Sequence, residues 1–279
     1  MSLTCTASIL LNGGLQSASS FDNLKTYIAR ILIQASNLLL LFRKPFTMFL
    51  LFFLINLFNI SGSCVKINSQ QMIQSDTLKT YLALGDSYTI GQSVNANETY
   101  PAQIVSLLKS EGIIFNAPEI IAKTGWTTTD LQNAIKNHPF AFSKYDIVTL
   151  LIGVNNQYQG KSESEYKNQF TELLQKAIQL AGNISSHVIV ISIPDYSVTP
   201  FAANSDTSLI AKQIDEFNSI NKKISLSYKV NYIDVTPESR KAATDASLIT
   251  YDNLHFSGKE YAIWAKMIAE VIRTINLKI

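Results

Sequence analysis

The chain has 279 residues, which is long enough for one large domain with a substantial buried core. Charged residues make up only 16% of it and its net charge is +2, so neither the charge nor any run of Lys or Arg indicates a nucleic-acid partner. The two cysteines, Cys5 and Cys64, have no Cys or His neighbour at metal-ligand spacing, so the sequence predicts no metal site.

Residues 1–64 are much more apolar than the rest of the chain. A basic pair at 43–44 precedes an apolar run over 46–60, and small residues and Cys64 end the block. A basic pair, about 15 apolar residues and then small residues are typical of a secretory signal peptide, whereas a membrane span needs about 20 apolar residues. Because the run begins so far into the chain, this interpretation implies a start codon assigned too far upstream.

Other interpretations of this block remain open. Cys64 after small residues resembles a bacterial lipobox, in which the cysteine is lipidated and anchors the protein to a membrane. Alternatively, residues 24–42 and 46–60 form a two-helix membrane hairpin. Residues 65–79 are polar and predict a tether between this block and a domain at 80–279. We therefore expect a secreted, periplasmic or cell-surface protein that is anchored to a membrane as a lipoprotein; plain secretion and a retained membrane anchor are the alternatives.

Strand and helix patterns alternate from residue 80 onward. Short apolar runs predict strands at 81–84, 119–122, 147–152, 188–193 and 230–235. Amphipathic spacing and capping residues predict helices at 100–111, 127–137, 162–181, 208–228 and 257–276. This alternation predicts an α/β fold with a parallel sheet of about five strands and helices on both faces.

In such a sheet, sites lie beyond the carboxyl ends of the strands, and reactive residues cluster there. Ser87 directly follows the first strand, but a serine needs a base within hydrogen-bond reach to become a nucleophile. His138 and His187 fall at the opposite end of the sheet, which leaves His255 as the base. Asp252, three residues earlier, is placed to orient the imidazole.

An attacked carbonyl becomes an oxyanion, which needs preorganised hydrogen-bond donors. The candidate donors are the backbone N–H groups of Ser87 and Gly125 and the side-chain amide of Asn155. Asp86 is expected to hold the turn before Ser87, and Gly153 to let the Asn155 loop turn tightly. The aromatic residues near these loops that are candidates for a substrate pocket are Tyr88, Trp126 and Tyr158.

Together these motifs resemble the four blocks of the SGNH hydrolases, the family also called GDSL esterases and lipases. The matching residues are Ser87 in Gly-Asp-Ser, Gly125, Asn155 in Gly-x-Asn, and Asp252-x-x-His255. The resemblance covers about residues 79–276. It implies a three-layer α/β/α flavodoxin-like fold, no metal, no cofactor, and hydrolysis of esters or thioesters through an acyl-serine intermediate.

The chain departs from the family pattern at two positions beside these blocks. Tyr88 stands where leucine is usual after Gly-Asp-Ser, and Asn156 stands where aspartate often follows the block asparagine. Neither change touches the predicted triad or oxyanion donors. The second is expected to alter how the Asn155 loop is braced.

We therefore predict a secreted bacterial serine esterase that acts on a small-molecule, glycan or lipid ester. A lysophospholipase-like or thioesterase-like acyl hydrolase is favoured, and a carbohydrate O-acetylesterase is the alternative. A surface binding module that keeps the fold without catalysis is the alternative from another class. The presence of both Ser87 and His255 argues against that module.

Overall fold

The computed structural model describes residues 78–277. The N-terminal block with its candidate lipidation residue Cys64, and nearly all of the predicted tether, lie outside the described residues. None of the described helices combines the length and the apolar character needed to cross a membrane.

The described residues form one parallel sheet of five strands, as predicted. The strands are β1 (Tyr81–Gly85), β2 (Glu119–Ala122), β3 (Ile147–Leu151), β4 (Val188–Ile191) and β5 (Asn231–Ile233). Their order across the sheet is β2-β1-β3-β4-β5, and every neighbouring pair is parallel. Every residue of β1, β3 and β4 is buried, as expected for strands that are covered on both faces.

Helices connect the strands and cover the sheet. They are α1 (Ser87–Ile90), α2 (Tyr100–Ser110), α3 (Thr128–Lys136), α4 (Val154–Tyr158), α5 (Glu163–Leu180), α6 (Thr207–Ser227), α7 (Thr236–Ser239) and α8 (Gly258–Thr274). Thr127 and Ser162 are the N-caps of α3 and α5, where the sequence places the starts of these helices. The long predicted helices are all present, with ends that differ by one or two residues.

The strand order decides which face each helix covers. The connection from β1 to β2 runs in the opposite direction to the connections that lead to β3, β4 and β5. Because parallel crossovers are right-handed, α2 lies on one face and α3, α5 and α6 lie on the other. Helix α8 packs against α2, and α5 packs against both α3 and α6. The predicted three-layer α/β/α fold is therefore confirmed.

The chain leaves β1 toward one edge of the sheet and leaves β3 toward the other. This reversal opens a crevice beyond the carboxyl ends of β1 and β3, which is where open α/β sheets bind ligands. Two short helices, α1 and α4, directly follow these strands. The sequence does not predict them because four or five residues are too few to show helical periodicity.

Candidate active site

Helix α1 begins immediately after β1 and sets Ser87 at its first position. Asp86 caps the helix, because its Oδ1 accepts a 3.0 Å hydrogen bond from the backbone N–H of Tyr88. Gly85 is required at the end of the strand, since a Cβ there would overlap the side chain of Thr89. Ser87 is 4% exposed, and its Oγ has no hydrogen-bond partner within residues 78–277. Its hydroxyl is therefore not committed to a structural role.

The turn before α8 holds Asp252 and His255 together. His255 Nδ1 lies 2.7 Å from Asp252 Oδ2, and Asp252 Oδ1 accepts 2.9 Å bonds from the backbone N–H groups of Leu254 and His255. Asn253 between them adopts a left-handed conformation with φ of 64°. Because an ionised carboxylate only accepts hydrogen bonds, Nδ1 carries the hydrogen and Nε2 presents its lone pair. A general base needs this orientation.

The Asp252 carboxylate stays ionised at neutral pH. Burial alone would raise the pKa of Asp252, but donated hydrogen bonds outweigh that effect and hold the pKa well below its ordinary value. The donors are the Ser93 hydroxyl, the backbone N–H groups of His255 and Leu254, and the Thr250 hydroxyl. The acid of the predicted pair is thus fixed both in charge and in position.

Ser93 is a site residue that the sequence does not reveal. Its Oγ donates a 2.5 Å hydrogen bond to Asp252 Oδ2, the same oxygen that faces His255 Nδ1. Its backbone has φ of 70°, a conformation that serine rarely adopts. Ser93 therefore links the loop after the predicted nucleophile to the predicted acid. A lone serine in a loop carries no local signal that could have indicated this contact.

Tyr88 does not line a pocket, so that prediction was wrong. The side chain is 2% exposed because α1 turns this position toward the core. Its ring meets the imidazole of His255 edge-on at a centroid distance of 5.6 Å, and Phe256 and Trp264 pack around it at 5.8 and 6.4 Å. The tyrosine that replaces the usual leucine thus supports His255 from the core side.

Ser87 and His255 are not hydrogen-bonded to each other. Nε2 of His255 has no hydrogen-bond partner among the described residues, and the contact between the two blocks is made by Tyr88, the residue after Ser87. Such bonds are often long in hydrolases without substrate and tighten in the complex. The geometry is compatible with the predicted nucleophile and base.

One hydrogen bond joins the segments that carry the two other predicted oxyanion donors. Asn155 Nδ2 donates to the carbonyl oxygen of Trp126 at 2.9 Å, which leaves its second N–H available. Gly125 precedes that carbonyl in a tight turn closed by the 3.2 Å bond from Trp126 N–H to Lys123 oxygen. Its φ of 84° suits glycine, and its N–H has no acceptor among the described residues.

Asp86 and Gly153, the two predicted supporting residues, join the ends of β1 and β3. The Asp86 carboxyl is fully buried, and burial raises its pKa to about 7, although nearby backbone N–H groups, including that of Gly153, act in the opposite direction. Gly153 has φ of 134° and is the N-cap of α4, the helix that carries Asn155. These two residues therefore set the separation of the Ser87 and Asn155 segments.

Asn156 braces the Asn155 loop differently from the aspartate that often stands at this position. It is fully buried, its Oδ1 accepts a 3.0 Å bond from Thr128 N–H, and its Nδ2 donates a 2.7 Å bond to Thr128 Oγ1. A carboxylate could not make the second bond as the donor. The amide thus ties α4 to the start of α3.

The remaining aromatic candidates differ in exposure, and the other two histidines lie far from the predicted nucleophile. Trp126 is half-buried and packs against the core, whereas Tyr158 is 60% exposed and stays a candidate for contact with substrate. His138 bonds to Glu119 at the start of β2 with a distance of 2.7 Å, and His187 directly precedes β4. Both histidines lie at the amino ends of strands, away from Ser87, as predicted.

Two cavities lie elsewhere on the molecule. One of about 630 Å³ lies between α3 and α5, and one of about 490 Å³ shares Phe140 and Lys176 with it. A large concave pocket is the usual first candidate for an active site, but no predicted site residue lines either of these. Within residues 78–277 there is also no group of three or more His, Cys, Asp or Glu side chains placed to hold a metal ion.

Comparison with solved structures finds the same fold in several bacterial hydrolases. A lipase/acylhydrolase from Enterococcus faecalis superposes with a TM-score of 0.56 at 18% identity, covering 72% of this chain and all of that one. An acetylxylan esterase from Geobacillus stearothermophilus gives 0.54 at 19% identity, covering 71% of this chain and 95% of that one. A member of the lipolytic G-D-S-L family from Veillonella parvula gives 0.53 at 17% identity, covering 70% and 99%.

The sequence itself carries a family signature over most of the described domain. No curated protein matches the chain at the level of sequence. Residues 83–263, however, match the profile of the GDSL-like lipase/acylhydrolase family, and this span includes Ser87, Gly125, Asn155 and the Asp252–His255 turn. The resemblance seen in the four motifs is therefore confirmed, and the chain belongs to the GDSL-like lipase/acylhydrolase family of ester hydrolases.

Proposed function

We propose that Ser87, His255 and Asp252 form the catalytic triad of a serine esterase that works through an acyl-serine intermediate. One observation carries the assignment. The His255 ring packs on Tyr88, the neighbour of Ser87, while its Nδ1 is held by Asp252 at 2.7 Å. Its Nε2 is thereby left as the atom that can accept the serine proton.

In the acylation step, Ser87 Oγ attacks the carbonyl carbon of the ester and its proton passes to Nε2 of His255. Asp252 stabilises the imidazolium that forms. The carbonyl oxygen becomes an oxyanion, and the N–H groups of Ser87, Gly125 and Asn155 donate to it. Each such donor contributes roughly 3–4 kcal/mol to the stability of the transition state. When the intermediate collapses, the C–O bond breaks, the alcohol takes the proton from Nε2, and the acyl group remains on Ser87.

The deacylation step uses the same residues. A water molecule loses a proton to Nε2 of His255 and attacks the acyl carbon. The second oxyanion is stabilised by the same three donors. Its collapse returns the proton to Ser87 Oγ and releases the carboxylic acid.

Replacement of Ser87 by alanine tests this assignment. In Ser87→Ala, kcat/KM for p-nitrophenyl acetate and ethyl acetate should fall by a factor of at least about 10³, while the unfolding transition stays close to that of the wild type. Ser143→Ala changes an exposed serine and should behave like the wild type. Undiminished turnover by Ser87→Ala would overturn the assignment of the nucleophile. Absence of hydrolysis by the wild type would favour the non-catalytic binding module.

Two substrate classes fit an acyl-serine mechanism. The sequence favours a lysophospholipase-like or thioesterase-like hydrolase of long acyl groups, and a carbohydrate O-acetylesterase is the second candidate. The observation that supports the second candidate is a set of solvent-exposed aromatic rings next to Asn155 and the Asp252–His255 turn. Turnover of p-nitrophenyl esters from acetyl to palmitoyl separates the two classes, since only a long-chain hydrolase gains rate with acyl length.

We also propose that the esterase domain is exported and attached to a membrane through Cys64. This rests on the sequence of the N-terminal block alone. Intact-mass measurement of the mature protein from a bacterial membrane fraction tests it. A chain that begins at Cys64 with added lipid mass would support the anchor. A chain that begins before residue 43 would contradict both the lipid anchor and the cleaved signal peptide.

A further inference from the structure

Three aromatic side chains pack together beside the candidate active site, and we call Tyr158, Tyr196 and Phe201 the aromatic platform. Tyr158 lies 6.3 Å from Tyr196 and 6.1 Å from Phe201 between ring centroids, and Tyr196 lies 6.4 Å from Phe201. The three rings thus form one continuous cluster. They come from two segments of the chain, α4 and the loop after β4.

The platform is connected to the segments that carry both halves of the proposed catalytic machinery. Tyr158 lies three residues after Asn155 on α4, so the two side chains are neighbours on the same side of that helix. The backbone N–H of Phe201 donates a 2.9 Å hydrogen bond to the carbonyl oxygen of Asn253, inside the Asp252–His255 turn. A group resting on the platform is therefore close to both the oxyanion donors and the base.

The platform is firmly supported and open to solvent. Tyr158 is 60% exposed and Phe201 is 46% exposed, whereas Tyr196 is buried behind them. The loop that carries Tyr196 and Phe201 is held by the buried carboxylate of Asp195, which accepts 2.8 Å bonds from Ser197 N–H and Arg240 Nε. Large aromatic side chains kept exposed beside a reactive serine indicate a surface that binds a ligand.

The segments that carry the platform, and the turn bonded to Phe201, also carry uncharged polar side chains. Gln159, Asn204 and Asn253 are exposed, and their side chains make no hydrogen bonds with other residues in the range 78–277. Each amide offers both donors and an acceptor to a ligand. A groove for an acyl chain would need apolar residues at these positions to enclose it. Exposed aromatic rings with free amides on the same segments instead suit a flat ligand with one apolar face and hydroxyl groups around its edge.

We propose that the aromatic platform binds a sugar ring and presents an O-acetyl group on that ring to Ser87. This inference rests on the proposed esterase function and adds the class of substrate. In this proposal the C–H face of a pyranose covers Tyr158 and Phe201, and its hydroxyl groups bind the exposed amides on the neighbouring segments. A long acyl chain would bury only one side on so open a surface, and would lose much of the free energy that burial of each CH₂ contributes.

The test compares a sugar ester with an ester that has no ring. Values of kcat/KM are measured for a fully acetylated methyl xyloside and for ethyl acetate, and their ratio is taken for each protein. Tyr158→Ala and Phe201→Ala should each lower this ratio about tenfold, mainly through KM, because the lost ring contact acts on the sugar alone. Tyr158→Trp should keep the ratio near that of the wild type. Phe142→Ala removes a ring of comparable exposure on the loop before β3 and should leave the ratio unchanged.

The outcomes separate this inference from the esterase assignment. An unchanged ratio in both alanine variants would overturn the platform. The platform would also be overturned if kcat/KM of the wild type rose steadily from acetyl to decanoyl esters and Phe201→Ala showed no such rise. The platform would then hold an acyl chain. Failure of the wild type to hydrolyse even ethyl acetate would instead count against the esterase function itself.

Discussion

Gly153 stands where β3 gives way to the helix that carries Asn155, and its replacement by alanine is a stringent test of the site geometry. A Cβ at this position would lie 2.7 Å from Ile193 Cδ1, 2.7 Å from Tyr166 Cε2 and 2.9 Å from the Tyr166 hydroxyl. Tyr166 cannot move away easily. It is fully buried, its hydroxyl donates to Ile152 oxygen at 3.1 Å, and it accepts from Asn221 Nδ2 at 3.1 Å.

The destabilisation by Gly153→Ala has two sources. Overpacking of a well-packed core costs about 1–3 kcal/mol. A non-glycine residue held at φ of 134° costs about 1–3 kcal/mol more. Together they predict that the free energy of unfolding falls by about 2–6 kcal/mol. Because α4 must shift to relieve the overlap, kcat/KM for ethyl acetate should fall as well.

Gly160→Ala provides the matched control. Gly160 has φ of 67°, and a Cβ there would meet nothing within 4 Å, so this variant carries only the backbone cost of about 1–2 kcal/mol. Urea unfolding monitored by far-ultraviolet circular dichroism gives both free energies. Equal losses in the two variants would refute the steric argument, and full activity in Gly153→Ala would refute the role of Gly153 in positioning Asn155.

Two further predictions concern polar contacts of the site. Ser93→Gly removes the hydroxyl group bound to Asp252 and also relieves the strained backbone at φ of 70°. We therefore expect kcat/KM to fall about tenfold without loss of stability. An unchanged kcat/KM would show that Ser93 does not position Asp252. Burial raises the pKa of Asp86 to about 7 from an ordinary value of about 4. Between about pH 4 and pH 7 the folded state therefore keeps a proton on Asp86 that the unfolded state has lost. The free energy of unfolding of the wild type should therefore fall relative to Asp86→Asn as the pH rises from 4 to 7, by an amount on the order of a few kcal/mol. A difference that stays constant over this range in urea titrations would contradict the burial argument.

The sequence predicts those parts of the structure that follow from local chemistry. The alternation of apolar strands and amphipathic helices is sufficient for the parallel sheet, and the sheet in turn places every strand-end motif at one edge. The pairing of Asp252 with His255 depends on a spacing of three residues within one turn. Such short-range relations depend little on how the rest of the chain packs.

Long-range contacts were not predictable in the same way. Ser93 reaches Asp252 across 159 positions, and nothing in the loop around it distinguishes it from a solvent-exposed serine. The burial of Tyr88 has no signal in the sequence, because its side chain follows the direction of α1, a helix too short to show a pattern. The aromatic platform assembles only when α4 and the loop after β4 meet in the fold. In each case the partner is set by tertiary packing and not by sequence spacing.

Covalent labelling tests the central assignment most directly. A fluorophosphonate reacts with a serine only when that serine is activated as a nucleophile, so the wild type should be modified once, and mass spectrometry of its peptides should place the adduct on Ser87. His255→Ala should label far more slowly, and Ser87→Ala should not label at all. An adduct on another serine, or a wild-type protein that stays unmodified, would contradict the proposed triad.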